Sequence, residues 1–151
     1  LNPSSQGEYM NYACGDWSNG IQRLHELNWQ VVGYEPFQRN NTPGIYTSES
    51  LDQEKKYDGL MSHNYIEHVQ DPKAYFKECH SMIKSGGRMA HSSPCFEYLY
   101  EASPLHLFFY CGRSVIELAN KTGFRVISRH SSDMDLPGHQ YICYTLQREA
   151  L

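Results

Sequence analysis

Hydrophobic and polar positions alternate along the chain in two rhythms, short runs of period two and longer runs of period three to four. Interleaved in this way they predict an α/β layered domain with a mainly parallel sheet. Residues 8–13 (EYMNYA) read as a first strand ended by Cys14-Gly15. Residues 19–28 carry Ile21, Leu24 and Leu27 on one helical face, with Asp16 or Ser18 placed to cap the start. Residues 30–34 (QVVGY) form a second strand, closed by Glu35-Pro36 because proline cannot continue a ladder. Residues 37–44 are a polar loop, and a short strand is expected near 44–47. Residues 57–62 (YDGLMS) form the next strand. After Asp71-Pro72, Tyr75, Phe76, Cys79, Met82 and Ile83 repeat at helical spacing up to Gly86-Gly87, so Asp71 caps and Pro72 opens a helix that runs to that glycine pair. Residues 88–92 are a strand, 94–110 an irregular aromatic stretch, and 114–122 a helix ended by Gly123. Residues 124–129 and 140–146 are two closing strands around a turn-rich segment with Pro137-Gly138.

Length and charge narrow this picture. A chain of 151 residues with 40% hydrophobic positions is the size of one domain with its own core, and we read 1–151 as a single domain. No apolar run approaches the roughly 18–20 residues of a membrane helix, so no membrane partner is expected. The chain starts at Leu1 rather than Met, and residues 1–7 lack a signal pattern, so we read it as trimmed at its N-terminus. A net charge of −4 without a basic run argues against nucleic acid as the partner. The five cysteines are odd in number and contain no CxxC, which fits reduced thiols and a cytoplasmic setting. Nothing in the sequence sets the oligomeric state.

In an open α/β sheet ligands bind at the carboxyl ends of the strands. Three such places carry chemistry. The turn Ala13-Cys14-Gly15-Asp16-Trp17-Ser18 leads into a helix N-terminus, where backbone N–H groups favour an anion, although a bare connecting turn reads the same way. Glu35 stands twenty residues beyond Gly15, where a nucleotide-binding α/β unit places an acid for ribose hydroxyls. His63-Asn64-Tyr65-Ile66-Glu67-His68 follows the third confident strand, with Glu67 and His68 readable as an acid/base pair or as structural groups. In the aromatic stretch, His106 is the polar group within apolar bulk that would suit a lid, or simply a core. The eight histidines show no HxxxH and no pairing with cysteine, so no metal site is expected.

The blocks MNYACGDWSNG, VVGYEP, YDGLMSHNYIEHVQDP, IKSGGRM, SSP, HLFFYCGRSVIEL and TGF, in this order, resemble the class I S-adenosylmethionine-dependent methyltransferases of the methyltransferase domain 23 or type 12 branch. The EHVQDP block with its following helix, KSGG and strand is the most specific of them. The resemblance implies a Rossmann-like three-layer sandwich whose seven-stranded sheet has an antiparallel last strand, with S-adenosylmethionine as cofactor. It also implies residue roles. Ala13, Cys14, Gly15 and Asp16 would lie against the methionine part of the cofactor, Glu35 would hold the ribose, Ser48 and Glu49 are the polar candidates on the adenine side, and Asn64 and Glu67 would line the pocket. His106, with His68 second, would be the catalytic base facing the acceptor. Asn11, Ala13 and Trp17 stand where the family commonly has an acid and its first and third glycines, and 36–56 is short for the usual helix and strand. The implied reaction is direct displacement (EC 2.1.1.-), transferring the methyl group to an O, N or C nucleophile of a small-molecule acceptor. A non-catalytic methyltransferase-like scaffold domain of a larger protein is the alternative, and a nicotinamide-dependent oxidoreductase would share only the Gly15 to Glu35 spacing.

Overall fold

The computed structural model describes residues 3–15, 18–37, 42–94, 105–110, 113–133 and 140–149. Seven strands are present: β1 (Glu8–Tyr12), β2 (Gln30–Tyr34), β3 (Ile45–Tyr46), β4 (Tyr57–His63), β5 (Ile83–Pro94), β6 (Phe124–Asp133) and β7 (Gln140–Arg148). They form one sheet in the order β3-β2-β1-β4-β5-β7-β6. The five strands from β3 to β5 are parallel to one another, whereas β7 runs antiparallel to both β5 and β6. The expected architecture, a mainly parallel sheet with an antiparallel last strand, is the one observed.

Alternation along the strands builds the layers. Tyr9 and Val31 point to one face, where Ile21, Leu24 and Trp29 from α1 (Ser18–Glu26) and its exit cover them. Met10, Tyr12 and Tyr34 point to the other face, into the main core with Leu60, Met89 and Leu146. Two helices cover that side. α2 (Pro72–Met82) contributes Tyr75, Phe76, Cys79 and Met82, and α3 (Ser114–Asn120) contributes Val115 and Ala119. The start of α2 is the predicted one, since Pro72 occupies its first turn and Asp71 accepts a hydrogen bond from the Ala74 N–H (3.0 Å). Asp16, the other expected cap, lies outside the described residues, as do Trp17 and Pro137-Gly138.

Several boundaries differ from the sequence pattern for identifiable reasons. α2 ends at Met82 instead of running to the glycine pair, because Ile83 is extended (φ −101°, ψ 140°) and joins the sheet opposite Tyr57. A β-branched residue that is fully buried in a strand outweighs the helical spacing that would have continued through it. The register then slips between Tyr57 and Gly59, and the extra residues of β5 are absorbed around Gly86 (φ +74°). The closing strands are longer than their hydrophobic cores suggest, because β6 runs on to Asp133 to pair with Gln140 and β7 runs on to Arg148 to pair with Phe124. β3 is only two residues long, and 47–56 holds turns in place of a helix. Among the described residues, no helix is long and apolar enough to cross a membrane.

One buried polar pair sits in the main core. His91 on β5 is 1% exposed, accepts or donates a 2.6 Å hydrogen bond through Nδ1 with Ser62 Oγ on β4, and lies against the rings of Tyr75 and Phe76. Burial pulls its imidazole down to about 3. In the unfolded chain the ring takes a proton near its ordinary value of about 6.5, so the unfolded state binds more protons between these limits and stability falls as pH falls. The contribution is complete above about 6.5 and is lost progressively towards 3. Urea denaturation at pH 7 and pH 5 should therefore show a loss of about 2 kcal/mol from this residue, and a folded His91→Gln chain should lack that part of the pH slope.

Candidate active site

Because β1, β2 and β4 are parallel neighbours, the segments that follow them emerge at one rim of the sheet. After β1 the chain turns at once. Ala13 (φ 54°) and Gly15 (φ 60°) are left-handed, and the Cys14 N–H donates to the Tyr34 carbonyl (3.2 Å), folding the turn back over the end of β2. Gly33 makes this approach feasible, since a Cβ there would fall 2.7 Å from Cys14 Sγ and 2.9 Å from Ile45 Cγ1. Glu35 closes the arrangement from the other side. Its N–H donates to the Tyr46 carbonyl (2.9 Å), its Oε2 accepts from the Gly15 N–H (3.0 Å) and its Oε1 from the Phe37 N–H (3.2 Å). The two ends that the sequence spacing paired are thus in direct contact.

A carboxylate offers about four acceptor positions, and Glu35 uses two on backbone N–H groups. The remainder can accept from vicinal hydroxyls, and the half-buried Glu35 holds them at the mouth of a small-residue turn. This acceptor set fits the ribose hydroxyls of an adenosyl sulfonium cofactor. Ser48 is exposed in the 47–50 turn just beyond β3, at the same rim. Asp16 and Trp17 lie outside the described residues.

The second half of the rim follows β4. Asn64 (φ 51°) is exposed and left-handed, and its N–H donates to the Ser92 carbonyl (3.0 Å), which turns the chain away from the sheet. Tyr65 then tucks its ring against Tyr12 and Tyr75, and a one-turn 3-10 helix follows at Ile66–His68. Onto this turn the segment 105–110 docks through its backbone. The Glu67 carbonyl accepts from the N–H groups of Leu107 (2.7 Å) and Phe108 (3.3 Å), while the Tyr110 hydroxyl donates to the Ile66 carbonyl (3.0 Å). Burial, and after it the nearby Glu67 carboxylate, pushes the Tyr110 phenol up, so it remains a donor. His68 Nδ1 bonds the Leu105 carbonyl (2.9 Å), and the rings of His68 and His106 meet edge to face with centroids 4.9 Å apart.

The structure thus brings together two groups of expected site residues, Ala13, Cys14 and Gly15 with Glu35, and Glu67 and His68 with His106. The sequence reading gave no role to a third feature of the rim. His63, the last residue of β4, bonds Ser92 Oγ through Nδ1 and stacks on Tyr141 of β7 (5.5 Å, 26°). Its position directly after a strand was visible in the sequence, but its two partners come from strands that only the fold brings alongside.

A family model described as a methyltransferase domain matches residues 5–129. Solved structures share the fold at low identity. A chain from the complex of the Haloferax volcanii Trm112 methyltransferase activator is 10% identical with a TM-score of 0.76, covering 99% of this chain and 86% of that one. The Burkholderia thailandensis 1,6-didemethyltoxoflavin-N1-methyltransferase, solved with S-adenosylhomocysteine, is 14% identical with a TM-score of 0.72, covering 95% and 72%. The magnesium protoporphyrin IX methyltransferase of Synechocystis PCC 6803, also solved with that product, is 13% identical with a TM-score of 0.66, covering 95% and 74%. No curated protein is matched. The cofactor class expected from the sequence, S-adenosylmethionine, agrees with the methyltransferase family and with the S-adenosylhomocysteine bound in two of these structures.

The left-handed Ala13 generates a prediction. An L residue with a Cβ pays about 1–2 kcal/mol in that conformation, and a glycine there would lose about 0.4–1 kcal/mol through greater unfolded-state freedom. Ala13→Gly should therefore raise stability by about 0.5–1 kcal/mol, read as a higher urea midpoint at unchanged slope.

Proposed function

The chain belongs to the methyltransferase-domain family, and from that premise we propose that it binds S-adenosylmethionine at the Gly15–Glu35 end of the rim and transfers its methyl group to a small-molecule acceptor at the His68–His106 end. The observation that carries this reading is the Glu35 carboxylate, pinned by the Gly15 and Phe37 N–H groups with acceptor capacity left over. When bound, the cofactor supplies a methyl group on a sulfonium sulfur, which an acceptor nucleophile displaces as a thioether with inversion at carbon.

The protein's share of the work is alignment and exclusion of water, worth up to about 7–11 kcal/mol in well-oriented systems. Ala13, Cys14 and Gly15 present backbone and small side chains to the methionine portion, and Asp16, next in sequence and outside the described residues, is assigned to the same portion by the resemblance alone. Glu35 fixes the ribose, Ser48 stands on the adenine side, and Asn64 and Glu67 border the pocket from the β4 end. His106 and His68 face the acceptor, where a nucleophile that must lose a proton needs an acceptor group; such assistance contributes about 10²–10⁴-fold. The exposed Leu105, Leu107 and Phe108 flank His106 and give the acceptor an apolar approach. That chemistry, with a chain of net charge −4, favours a small organic acceptor over a nucleic acid.

Calorimetric titration with S-adenosylmethionine and S-adenosylhomocysteine, with NAD as control, tests the reading. Micromolar binding of both sulfur compounds is expected, with no heat from NAD and at least a tenfold loss in Glu35→Ala. A folded chain that binds neither would leave the scaffold role as the better account.

A further inference from the structure

The acceptor end of the rim contains an arrangement that its protein atoms alone do not satisfy. Glu67 is 1% exposed, yet neither carboxylate oxygen has a hydrogen-bond partner. A buried carboxylate without donors is strongly disfavoured, and such groups in folded proteins are paired, hydrogen-bonded or bound to a cation. His68 donates from Nδ1 to the Leu105 carbonyl (2.9 Å), which turns its Nε2 towards Glu67 Oε1 at 3.9 Å, beyond hydrogen-bond reach. His106 adds a third group, since its Nδ1 is buried without a partner. One donor atom each from Glu67, His68 and His106 lie within 4.8 Å of one another.

We propose that Glu67, His68 and His106 form a binding site for a divalent first-row transition ion of the zinc class. Two imidazoles and one carboxylate are the donor set such ions prefer, whereas magnesium and calcium favour oxygen ligands throughout. The parts around the ligands are those of a prepared site. The Leu105 carbonyl fixes the His68 tautomer and ring, as the outer partner of a metal-bound histidine does. The backbone bonds from Leu107 and Phe108 to the Glu67 carbonyl hold the His106 segment against the 3-10 turn. Ligand atoms about 2.0–2.1 Å from one ion stand roughly 3.3 Å apart, so the three donor atoms, now within 4.8 Å of one another, would draw together on an ion between them.

Three protein ligands leave a coordination position open, which is the pattern of catalytic rather than structural zinc sites. An acceptor hydroxyl bound there would become more acidic and release its proton to solvent water, and the oxygen so activated would be the nucleophile that takes the methyl group as the thioether leaves. That last step rests on the methyl-transfer reading. In it the two imidazoles act on the acceptor as ligands of the ion, in place of a free base. The ion site itself does not depend on that reading.

The test uses the whole chain, stripped with EDTA and titrated with cobalt(II) chloride, then with zinc chloride. One cobalt per chain is expected, with the visible d–d bands of a low-coordinate nitrogen–oxygen site that zinc abolishes. Glu67→Gln, His68→Gln and His106→Gln should each weaken cobalt binding at least ~10-fold, while His130→Gln on the distant β6 should leave it unchanged. Far-UV circular dichroism checks each fold. If Glu67→Gln does not fold, the two histidine variants decide. No stoichiometric cobalt binding by the folded chain, or undiminished binding in a folded His68→Gln/His106→Gln chain, overturns the proposal. Calorimetry with S-adenosylhomocysteine on the same metal-free sample keeps the two readings apart. Cofactor binding without cobalt binding overturns the ion site alone, and cobalt binding without cofactor binding overturns the cofactor reading alone.

Discussion

Parallel pairing of β1 between β2 and β4 is the constraint from which the rest of the molecule follows. Parallel strands need crossovers, and α1 supplies one on one side while the 47–56 turns, whose Leu51 is buried in the main core, and α2 supply the others on the opposite side. Each crossover returns the chain to the same edge of the sheet. The carboxyl ends of these strands therefore meet at one rim, however far apart their residues lie in sequence. Tyr12, buried at the end of β1, locks this arrangement from beneath. Its ring packs against Tyr34, Tyr65 and Tyr75, and its hydroxyl donates to Glu78 (2.9 Å), so the exits of β1, β2 and β4 share one aromatic foundation with α2.

Above that foundation the rim is built from unfavourable local states. Ala13 and Asn64 are left-handed without being glycine, and Glu67 is buried without hydrogen bonds to its carboxylate. Each would be removed if stability alone chose the residue. They persist because the core beneath is continuous, running from Met10 and Leu60 through Phe76 and Phe124 to Leu146.

Much of this was legible in the sequence, and the reason is locality. Alternation over 8–13 and 30–34, the Asp71-Pro72 start signal and the helical spacing of Tyr75, Phe76 and Cys79 are statements about neighbours in the chain, and the structure bears them out. The Gly15 to Glu35 pairing was also readable, because a strand, turn, helix, strand unit has a nearly fixed length. What escaped is non-local. Ile83 belongs to a strand because Tyr57 lies beside it, a fact absent from the helical pattern around it. His63 acquires Ser92 and Tyr141 only once β4, β5 and β7 are assembled. No short-range histidine motif announces the meeting of Glu67 and His68 with His106, which is made by backbone bonds from Leu107 and Phe108.

That last contact bears on how acceptor choice can change within one fold. The Gly15–Glu35 half of the rim is fixed by the sheet itself, since Cys14, Gly33 and Glu35 are held by backbone bonds to Tyr34, Gly44 and Tyr46 and tolerate little variation in backbone position. The His68–His106 half is held by a few hydrogen bonds between a single 3-10 turn and a segment without regular structure. A substitution near His106 can alter what the rim binds at small cost to the sheet, because none of the sheet's pairing passes through residues 105–110. On the proposed function, cofactor and acceptor specificity are in this sense stored in different kinds of structure. The first is written in strand geometry and the second in a docked loop, the element most free to vary between proteins of one family.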